Sequence, residues 1–263
     1  MKILADMAQR IVTLTTDFGT HDSYVAEVKA VLLAKHPDLT LVDITHEVPP
    51  YDVEAGAFQL LRSHLWFPPS TYHLAVVDPG VGTDRKPIYV QTRDFHFVGP
   101  DNGLLLWAVR ACERRDGVAA RWFEIPRAPG MKATFHGRDL FAPFVAMHLE
   151  RPDSSFPELT EVEGREFPRH VIYEGAWIGQ VVHIDRYGNL ITSISLSDFE
   201  NASAEVASLN GRIASVRSYL DIEQGTVGLI RGSHGYWEIA ARMGSAAKLL
   251  GVKKGERVTV YPG

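Results

Sequence analysis

The sequence predicts a two-part fold: an α/β N-terminal domain with a mostly parallel central sheet flanked by helices, then a C-terminal antiparallel, barrel-like β-domain. In the first 150 residues, strand-like and helix-like segments alternate, which favours a parallel sheet covered on both faces. After residue 170, short strand-like segments recur about every ten residues, which is typical of a small sandwich or barrel. Between them lies a polar, proline-bearing stretch, 151–170, which we interpret as a linker. We expect domains over residues 1–165 and 170–263.

The elements of the first domain follow from hydrophobic periodicity and turn signals. Residues 10–17 are rich in β-branched side chains and predict the first strand, and residues 22–36 fit a helix that Pro37 ends. The remaining predicted elements are strands at 39–44, 72–77, 88–91 and 95–98, and helices at 53–65, 104–114 and 140–149.

The second domain is predicted from short strands separated by turn residues. We expect these strands at 177–185, 190–195, 211–216, 226–230, 236–240 and 257–261.

Composition excludes several classes of function. The formal charge is −5 and the basic residues are not clustered, so nucleic acid is not an expected partner. The single cysteine, Cys112, can form neither an internal disulfide nor a cysteine zinc cage, and we expect a structural thiol. No apolar run approaches the ~18 residues of a membrane span, and the N-terminus does not resemble a signal peptide. We therefore expect a cytoplasmic protein without a membrane partner.

Polar residues stand where predicted strands end. Asp17 and Asp78 each end a predicted strand next to a turn that contains glycine, and ligands of α/β sheets bind at such ends. Each is equally consistent with a turn or helix cap. His136, just before a predicted helix, is able to hold a proton near neutral pH or simply to cap that helix. Arg85 is a charge partner for Asp78 or a solvated turn residue.

Known phosphate and metal motifs do not match. The run VVDPGVGTDR around Asp78 lacks the spacing of a phosphate loop, and the chain has neither HExxH nor CxxC. A metal-dependent hydrolase using Asp17, Asp78 and His136 stays open as an alternative.

Two predicted turns of the second domain combine charged, aromatic and polar side chains. DRYGN, residues 185–189, is consistent with a plain hairpin turn, but it also offers a carboxylate, an aromatic ring and an amide to a heteroaromatic or zwitterionic ligand. RGSHGYWE, residues 231–238, has a similar mixture.

Six motifs in this order resemble the S-adenosylmethionine hydroxide adenosyltransferases, also called S-adenosylmethionine hydrolases (adenosine-forming), which are relatives of the bacterial fluorinase and chlorinase. They are TTDFGT, VVDPGVGTDR, FVGPDNG, TFHGRD, DRYGN and SHGYWEIA, and the resemblance spans residues 10–261. It implies hydrolysis of S-adenosyl-L-methionine to adenosine and L-methionine, with no metal or cofactor. It also implies a homotrimer whose active sites lie at subunit interfaces.

The resemblance assigns roles residue by residue. The catalytic set falls on Asp78, Arg85 and His136, and the ribose-binding acid on Asp17. The residues matched to methionine and adenine contacts lie in the second domain and are Asp185, Tyr187, Asn189, Ser233 and Glu238.

Departures from the halogenating relatives favour hydrolysis. Those relatives carry a non-acidic residue where this chain has Asp78, and a carboxylate would repel a halide while it orients or deprotonates water. The fluorinase also has a loop of about twenty residues for which residues 85–97 leave no room, and a serine where this chain has Gly137. Halide-dependent adenosyl transfer and a non-catalytic adenosyl-metabolite-binding module remain the alternatives.

Overall fold

A computed structural model describes residues 10–128, 130, 134–196, 202–206 and 211–262. The chain divides into two compact units, residues 1–166 and 167–263. Among the described residues, no helix combines the length and apolar character that crossing a membrane requires.

The first unit is an α/β unit built on a six-stranded sheet, with strand order β2-β1-β3-β5-β4-β6. Strands β1, β2, β3 and β5 pair in parallel, and β4 is antiparallel to both its neighbours. The predicted mostly parallel sheet is therefore confirmed. Its strands are β1 (Ile11–Thr16), β2 (Thr40–Thr45), β3 (Tyr72–Val76), β4 (Pro87–Gln91), β5 (His96–Pro100) and β6 (Arg121–Glu124).

Helices flank this sheet. They are α1 (Tyr24–Lys35), α2 (Val53–Ser63), α3 (Leu106–Asp116) and α4 (Ala142–Glu150), with a 3₁₀ turn at His64–Trp66 and a π-helical turn at Gly137–Phe141. Val12 and Leu14 of β1 share a buried core with α1 and α4, since alternate strand residues face one side of a sheet. His73, in the neighbouring strand β3, instead contacts the ring of His64 after α2.

Cys112 is buried in α3, as expected of a structural thiol. Burial raises the pKa of its thiol to about 11. The thiol is therefore protonated near neutral pH and unreactive.

Over its described residues, the second unit is a nearly closed, barrel-shaped antiparallel sheet of eight strands. Seven follow the order β11-β10-β14-β8-β9-β13-β12, and β7 pairs with β8. Ser215 bridges Leu229, which brings the two ends of that order together and nearly closes the sheet. The strands are β7 (Val171–Tyr173), β8 (Ala176–Ile184), β9 (Leu190–Ser195), β10 (Ala202–Val206), β11 (Ile213–Ala214), β12 (Val227–Arg231), β13 (Tyr236–Ala241) and β14 (Arg257–Pro262). A 3₁₀ turn at Tyr219–Asp221 and helix α5 (Ala246–Leu250) complete the unit.

Several local expectations were wrong. Strands β6, β7 and β10 and helix α5 were not predicted, and the expected strand 211–216 shrinks to two residues, Ile213–Ala214. Sequence ASAEV of β10 has little β-propensity; pairing with β14 over its whole length places it in the sheet.

The interpretation of residues 151–170 as a linker is also wrong for much of that stretch. The backbone N–H of Glu124 donates to Pro157 O and that of Leu159 donates to Trp122 O, both at 2.8 Å. The indole of Trp107 donates to Arg165 O at 2.7 Å. These contacts attach the stretch to the first unit.

Candidate active site

The end of β3 delivers a carboxylate directly after a buried strand. Every residue from Tyr72 to Val77 is buried, and Asp78 follows at the carboxyl edge of the sheet. The chain then turns twice, with Val81 N–H donating to Asp78 O and Thr83 N–H donating to Gly80 O, each at 3.2 Å. These turns bring the chain back on itself before β4 begins.

Arg85 closes this loop onto Asp78. Its Nε donates to Asp78 Oδ1 at 3.0 Å and its Nη2 donates to Oδ2, a bidentate pair. The side chains of Arg85 and Asp78 are only 8% and 5% exposed. Burial lowers the pKa of Arg85, and the facing carboxylate opposes that shift. The pair is therefore a fixed, shielded one, unlike the solvated turn charge that the sequence left open.

His136 joins the pair from a stretch 51 residues further along the chain. Its Nδ1 lies 3.2 Å from Arg85 Nη2 and its ring is buried. A guanidinium only donates, so Nδ1 must accept and the neutral ring carries its proton on Nε2. Burial first, and then the charge of Arg85, lowers the pKa of His136, which keeps the imidazole neutral near pH 7.

Asp17 opens on the same cavity as Asp78 and His136. The cavity measures about 320 Å³. Its lining consists of Asp17, Phe18, Tyr24, Pro50, Tyr51, Val76, Asp78, Val81, Thr134, Phe135, His136 and Gly137. Asp17 Oδ2 accepts a hydrogen bond from Tyr51 N at 2.9 Å, so this carboxylate is oriented by the loop after β2. Strands β1 and β3 are parallel neighbours, which is why their carboxyl ends present both acids together.

Aromatic rings that the sequence reading did not identify form one wall of this cavity. Phe18 and Phe135 have ring centroids 5.6 Å apart, and Tyr24 lies 5.1 Å from Phe135. A Cβ at Gly137 would lie 3.2 Å from Phe135 and 3.3 Å from Phe18, so the absence of a side chain there lets the rings approach. No periodic signal marks this wall, because Phe18 and Phe135 lie in separate loops and Tyr24 begins helix α1.

The second unit contains a separate cavity of about 590 Å³, lined by Asp185, Tyr187, Asn189, Tyr219, Ala241, Met243, Gly244 and Ser245. The stretch DRYGN is a hairpin turn between β8 and β9, and it also supplies three of these lining residues. Asp185 Oδ1 accepts from the backbone N–H groups of Tyr187 and Asn189, both at 2.9 Å. Its Oδ2 accepts from Asn189 Nδ2 at 3.0 Å.

This cavity combines a polar floor with an exposed aromatic ring. The side chain of Asn189 is buried, whereas Tyr187 is 76% exposed. Gly188 has φ +84°, and a Cβ there would lie 2.0 Å from Ser245 Oγ, so glycine is required for the turn to pack against Ser245. The lining residues Tyr219, Met243 and Ser245 were not identified from sequence.

Ser233 and Glu238 differ in their surroundings. Ser233 is exposed in the turn between β12 and β13. Glu238 is buried, and its carboxylate accepts from the Tyr219 hydroxyl at 2.8 Å and lies 3.2 Å from His234 Nε2. Tyr219 lines the cavity, so Glu238 is connected to the cavity through its hydrogen bond with this tyrosine.

The metal alternative would use Asp17, Asp78 and His136 as ligands. Over the residues that the structure describes, no three His, Cys, Asp or Glu side chains are arranged to hold a metal ion. Both oxygens of Asp78 already accept hydrogen bonds from Arg85.

Family models match both units. The SAM hydroxide adenosyltransferase N-terminal domain matches residues 12–158, and the C-terminal domain of the same family matches residues 179–259. An "(R)-S-adenosyl-L-methionine hydrolase" of Thermus thermophilus is 37% identical over 261 residues, covering 94% of this chain and 97% of the relative.

A solved structure agrees with the fold. An uncharacterized conserved protein from Thermotoga maritima aligns with TM-score 0.82 and 33% identity, over 95% of this chain and 99% of its own.

A fluorinase of Nocardia brasiliensis is more distant, at 26% identity over 224 residues, 72% of this chain and 73% of the relative. With both units matched, the chain belongs to the SAM hydroxide adenosyltransferase family.

Proposed function

We propose that this chain hydrolyses S-adenosyl-L-methionine to adenosine and L-methionine. Water attacks C5′ of the ribose in line with the departing sulfur. The C5′–O bond forms, the C5′–S bond breaks, and one proton is released. The observation that carries the proposal is that Asp78 and His136 line the cavity that also contains Asp17, while Arg85 contacts both of them.

The leaving group determines what the enzyme must supply. The sulfonium is already cationic and departs as a neutral thioether, so no acid is required on that side and no cofactor is needed. What remains is to orient the water and to accept its proton. Orientation contributes up to about 7–11 kcal/mol in favourable cases, and proton removal adds about 10²–10⁴-fold.

The hydrogen bonds suggest how the two tasks are divided. Nδ1 of His136 accepts from Arg85, which leaves its Nε2–H as a donor able to orient the water oxygen. Each carboxylate oxygen of Asp78 has a second lone pair beyond the one that Arg85 uses. We propose Asp78 as the proton acceptor, with Arg85 fixing its position and His136 aligning the water.

The remaining predicted residues bind the substrate. Asp17 accepts from the ribose hydroxyls, and Asp185 pairs with the amino group of the methionine moiety. Tyr187 stacks on adenine and Asn189 contacts its edge. Ser233 is assigned to the methionine carboxylate and Glu238 to the adenine edge, the latter through Tyr219 as well as directly.

We also propose that the protein is a homotrimer in the cytoplasm. The resemblance implies that the first unit of one subunit meets the second unit of its neighbour. Its support here is that the proposed catalytic residues belong to one unit and the methionine and adenine residues to the other.

The first prediction concerns products and stereochemistry. The sulfonium sulfur is pyramidal and stereogenic, and the relative from Thermus thermophilus is named for the (R) epimer. We expect purified protein to convert (R)-S-adenosyl-L-methionine to adenosine and methionine, and the (S) epimer much more slowly, because in-line attack requires one direction of the C5′–S bond. Liquid chromatography of timed reactions with each epimer measures this.

The same assay separates the alternatives. Formation of 5′-chloroadenosine in chloride buffer would assign the chain to halide-dependent adenosyl transfer. Tight binding without product from either epimer would indicate a binding module. Activity abolished by a chelator and restored by a metal ion would indicate the metal-dependent hydrolase.

A further inference from the structure

The loop between β3 and β4 carries both Asp78 and Arg85, yet its tip is open to solvent. Residues 82–84 are exposed, and the backbone hydrogen bonds within the loop are those of short turns. From outside the loop, Arg127 Nη1 donates to Thr83 O at 3.0 Å and its Nη2 donates to Arg85 O. Such turns fix local direction but leave an exposed loop able to move as a unit. The position of the Asp78–Arg85 pair relative to the cavity therefore depends on what holds the two ends of the loop.

One turn, directly after β5, contacts both ends. Asn102 Nδ2 donates to the carbonyl of Val77 at 2.9 Å. The backbone N–H of Asp101 donates to the carbonyl of Lys86, also at 2.9 Å. Val77 directly precedes the carboxylate residue of the pair, and Lys86 directly follows the arginine.

The amide of Asn102 is oriented for this contact. Its Oδ1 accepts from the backbone N–H of Leu104 at 3.2 Å. With the oxygen used in that way, the NH₂ group faces Val77, and this assignment follows from the hydrogen-bond network. A side chain lacking either the donor or the reach of asparagine would leave the Val77 carbonyl without this hydrogen bond.

The turn itself is attached firmly to the sheet. A Cβ at Gly99 would lie 2.4 Å from Ala75 O, so glycine lets β5 pass close to β3. Asp101 is buried, and its Oδ1 accepts from the backbone N–H of Glu163 at 2.9 Å. The carboxylate of Asp101 also attracts the charge of Arg85. The turn is thus a rigid support for a loop whose own tip is exposed.

We propose that Asn102 is a positioning residue for the hydrolytic reaction. Acting through Val77, it fixes the start of the loop so that Asp78 meets Arg85 bidentately and faces the attacking water. This inference rests on the proposed function. It gives a role to the FVGPDNG turn, to which the resemblance to the family assigned none.

The second prediction tests this role with two variants, Asn102→Ala and Asn102→Asp. The first removes both side-chain hydrogen bonds, and the second keeps the acceptor for Leu104 but removes the donor to Val77. We expect kcat to fall about 10- to 100-fold in both, because a small misplacement of catalytic groups costs up to about 10²-fold. KM should stay within about threefold, since the loop change leaves substrate contacts in place.

A matched control is Thr71→Val. Thr71 Oγ1 donates to Pro68 O at 2.7 Å at the opposite, amino-terminal end of β3. This variant also loses one side-chain-to-backbone hydrogen bond, and we expect its kcat to equal that of the wild type. Circular dichroism melts of all variants show whether stability losses are comparable.

The outcomes are distinguishable. Asn102 variants with wild-type kcat, or with raised KM alone, would overturn the inference, as would an equal loss of kcat in Thr71→Val. If Asn102→Ala does not fold, Asn102→Asp gives the answer. A wild-type chain that shows no turnover would overturn the proposed function itself, and the inference with it.

Discussion

Replacing Asp78 with asparagine is expected to abolish hydrolysis while leaving the substrate bound. Asparagine has the shape of aspartate but cannot take the proton of water, and general-base contributions are about 10²–10⁴-fold in rate. We expect kcat to fall by about that factor while the dissociation constant for S-adenosylmethionine changes little, because Asp17 still lines the cavity. Single-turnover kinetics and calorimetric titration measure the two quantities separately.

The same substitution should also destabilise the fold. Arg85 would remain buried without its counter-ion, and breaking a buried pair costs about 3–5 kcal/mol in the free energy of unfolding. Asp84→Asn is the matched control, since Asp84 lies in the same loop and is exposed. It should alter neither kcat nor stability. Wild-type turnover in Asp78→Asn would remove Asp78 from the mechanism.

Replacing Arg85 with methionine is expected to shift the acidic limb of the pH–rate profile upward and to lower the plateau. In the wild type, the pKa of His136 is lowered below its ordinary value near 6.5, by burial and then by the charge of Arg85. Protonation of His136 would turn its Nδ1 from an acceptor into a donor facing the pair and would place a positive charge beside the Asp78 base, which lowers its power to take a proton. We therefore expect activity to be lost as pH falls through the His136 pKa. Without Arg85, the Asp78 carboxylate, which raises that pKa, faces His136 alone in the pair.

Loss of the positive charge of Arg85 therefore raises the pKa of His136. A higher His136 pKa means protonation begins at higher pH, so the loss of rate begins earlier on acidification. Arg127 and Asp139 also face His136, with opposite effects on its pKa, and both remain in the variant. We further expect the plateau kcat to fall by up to about 10²-fold, because Asp78 is no longer held in place.

Two measurements separate these effects. The dependence of kcat on pH gives the position of the acidic limb, and an NMR titration of the His136 ring gives its pKa directly. Arg121→Met is the control, because Arg121 pairs with Glu158 at a largely exposed position. It removes the same charge and should leave the limb unchanged. An unshifted His136 titration in Arg85→Met would show that the pair does not act on the imidazole.

The sequence predicted the parts of the site that depend on local pattern. Asp17 and Asp78 were identified because each ends a strand with a clear β-branched or apolar run, and such ends meet where parallel strands are neighbours. Strands β1 and β3 are adjacent, and they pair from Val12 with Tyr72 to Thr16 with Val76. No local sequence pattern encodes this pairing.

Other features were set by contacts distant in sequence. The link of His136 to Arg85 joins two loops that are 51 residues apart in the chain, and only the motif resemblance predicts it from the sequence. Strand β6 pairs with β4 on one side and contacts residues 157–159 on the other, and neither contact leaves a local pattern in the sequence. Asn102 belongs to a turn motif, and the proposed role of its side chain has no local signal because it depends on a hydrogen bond to Val77, 25 residues earlier in the chain.

The central claim is that water, positioned by Asp78, Arg85 and His136, attacks the ribose C5′ carbon. Hydrolysis of S-adenosylmethionine in water enriched with heavy oxygen tests it most directly, with mass spectrometry of both products. The account predicts that the heavy oxygen appears in the 5′-hydroxyl of adenosine and that methionine carries none. Unlabelled adenosine would show that its 5′-oxygen does not come from water, and label in the amino-acid product would show that water attacks a carbon on the methionine side of the sulfur; either result would contradict the account.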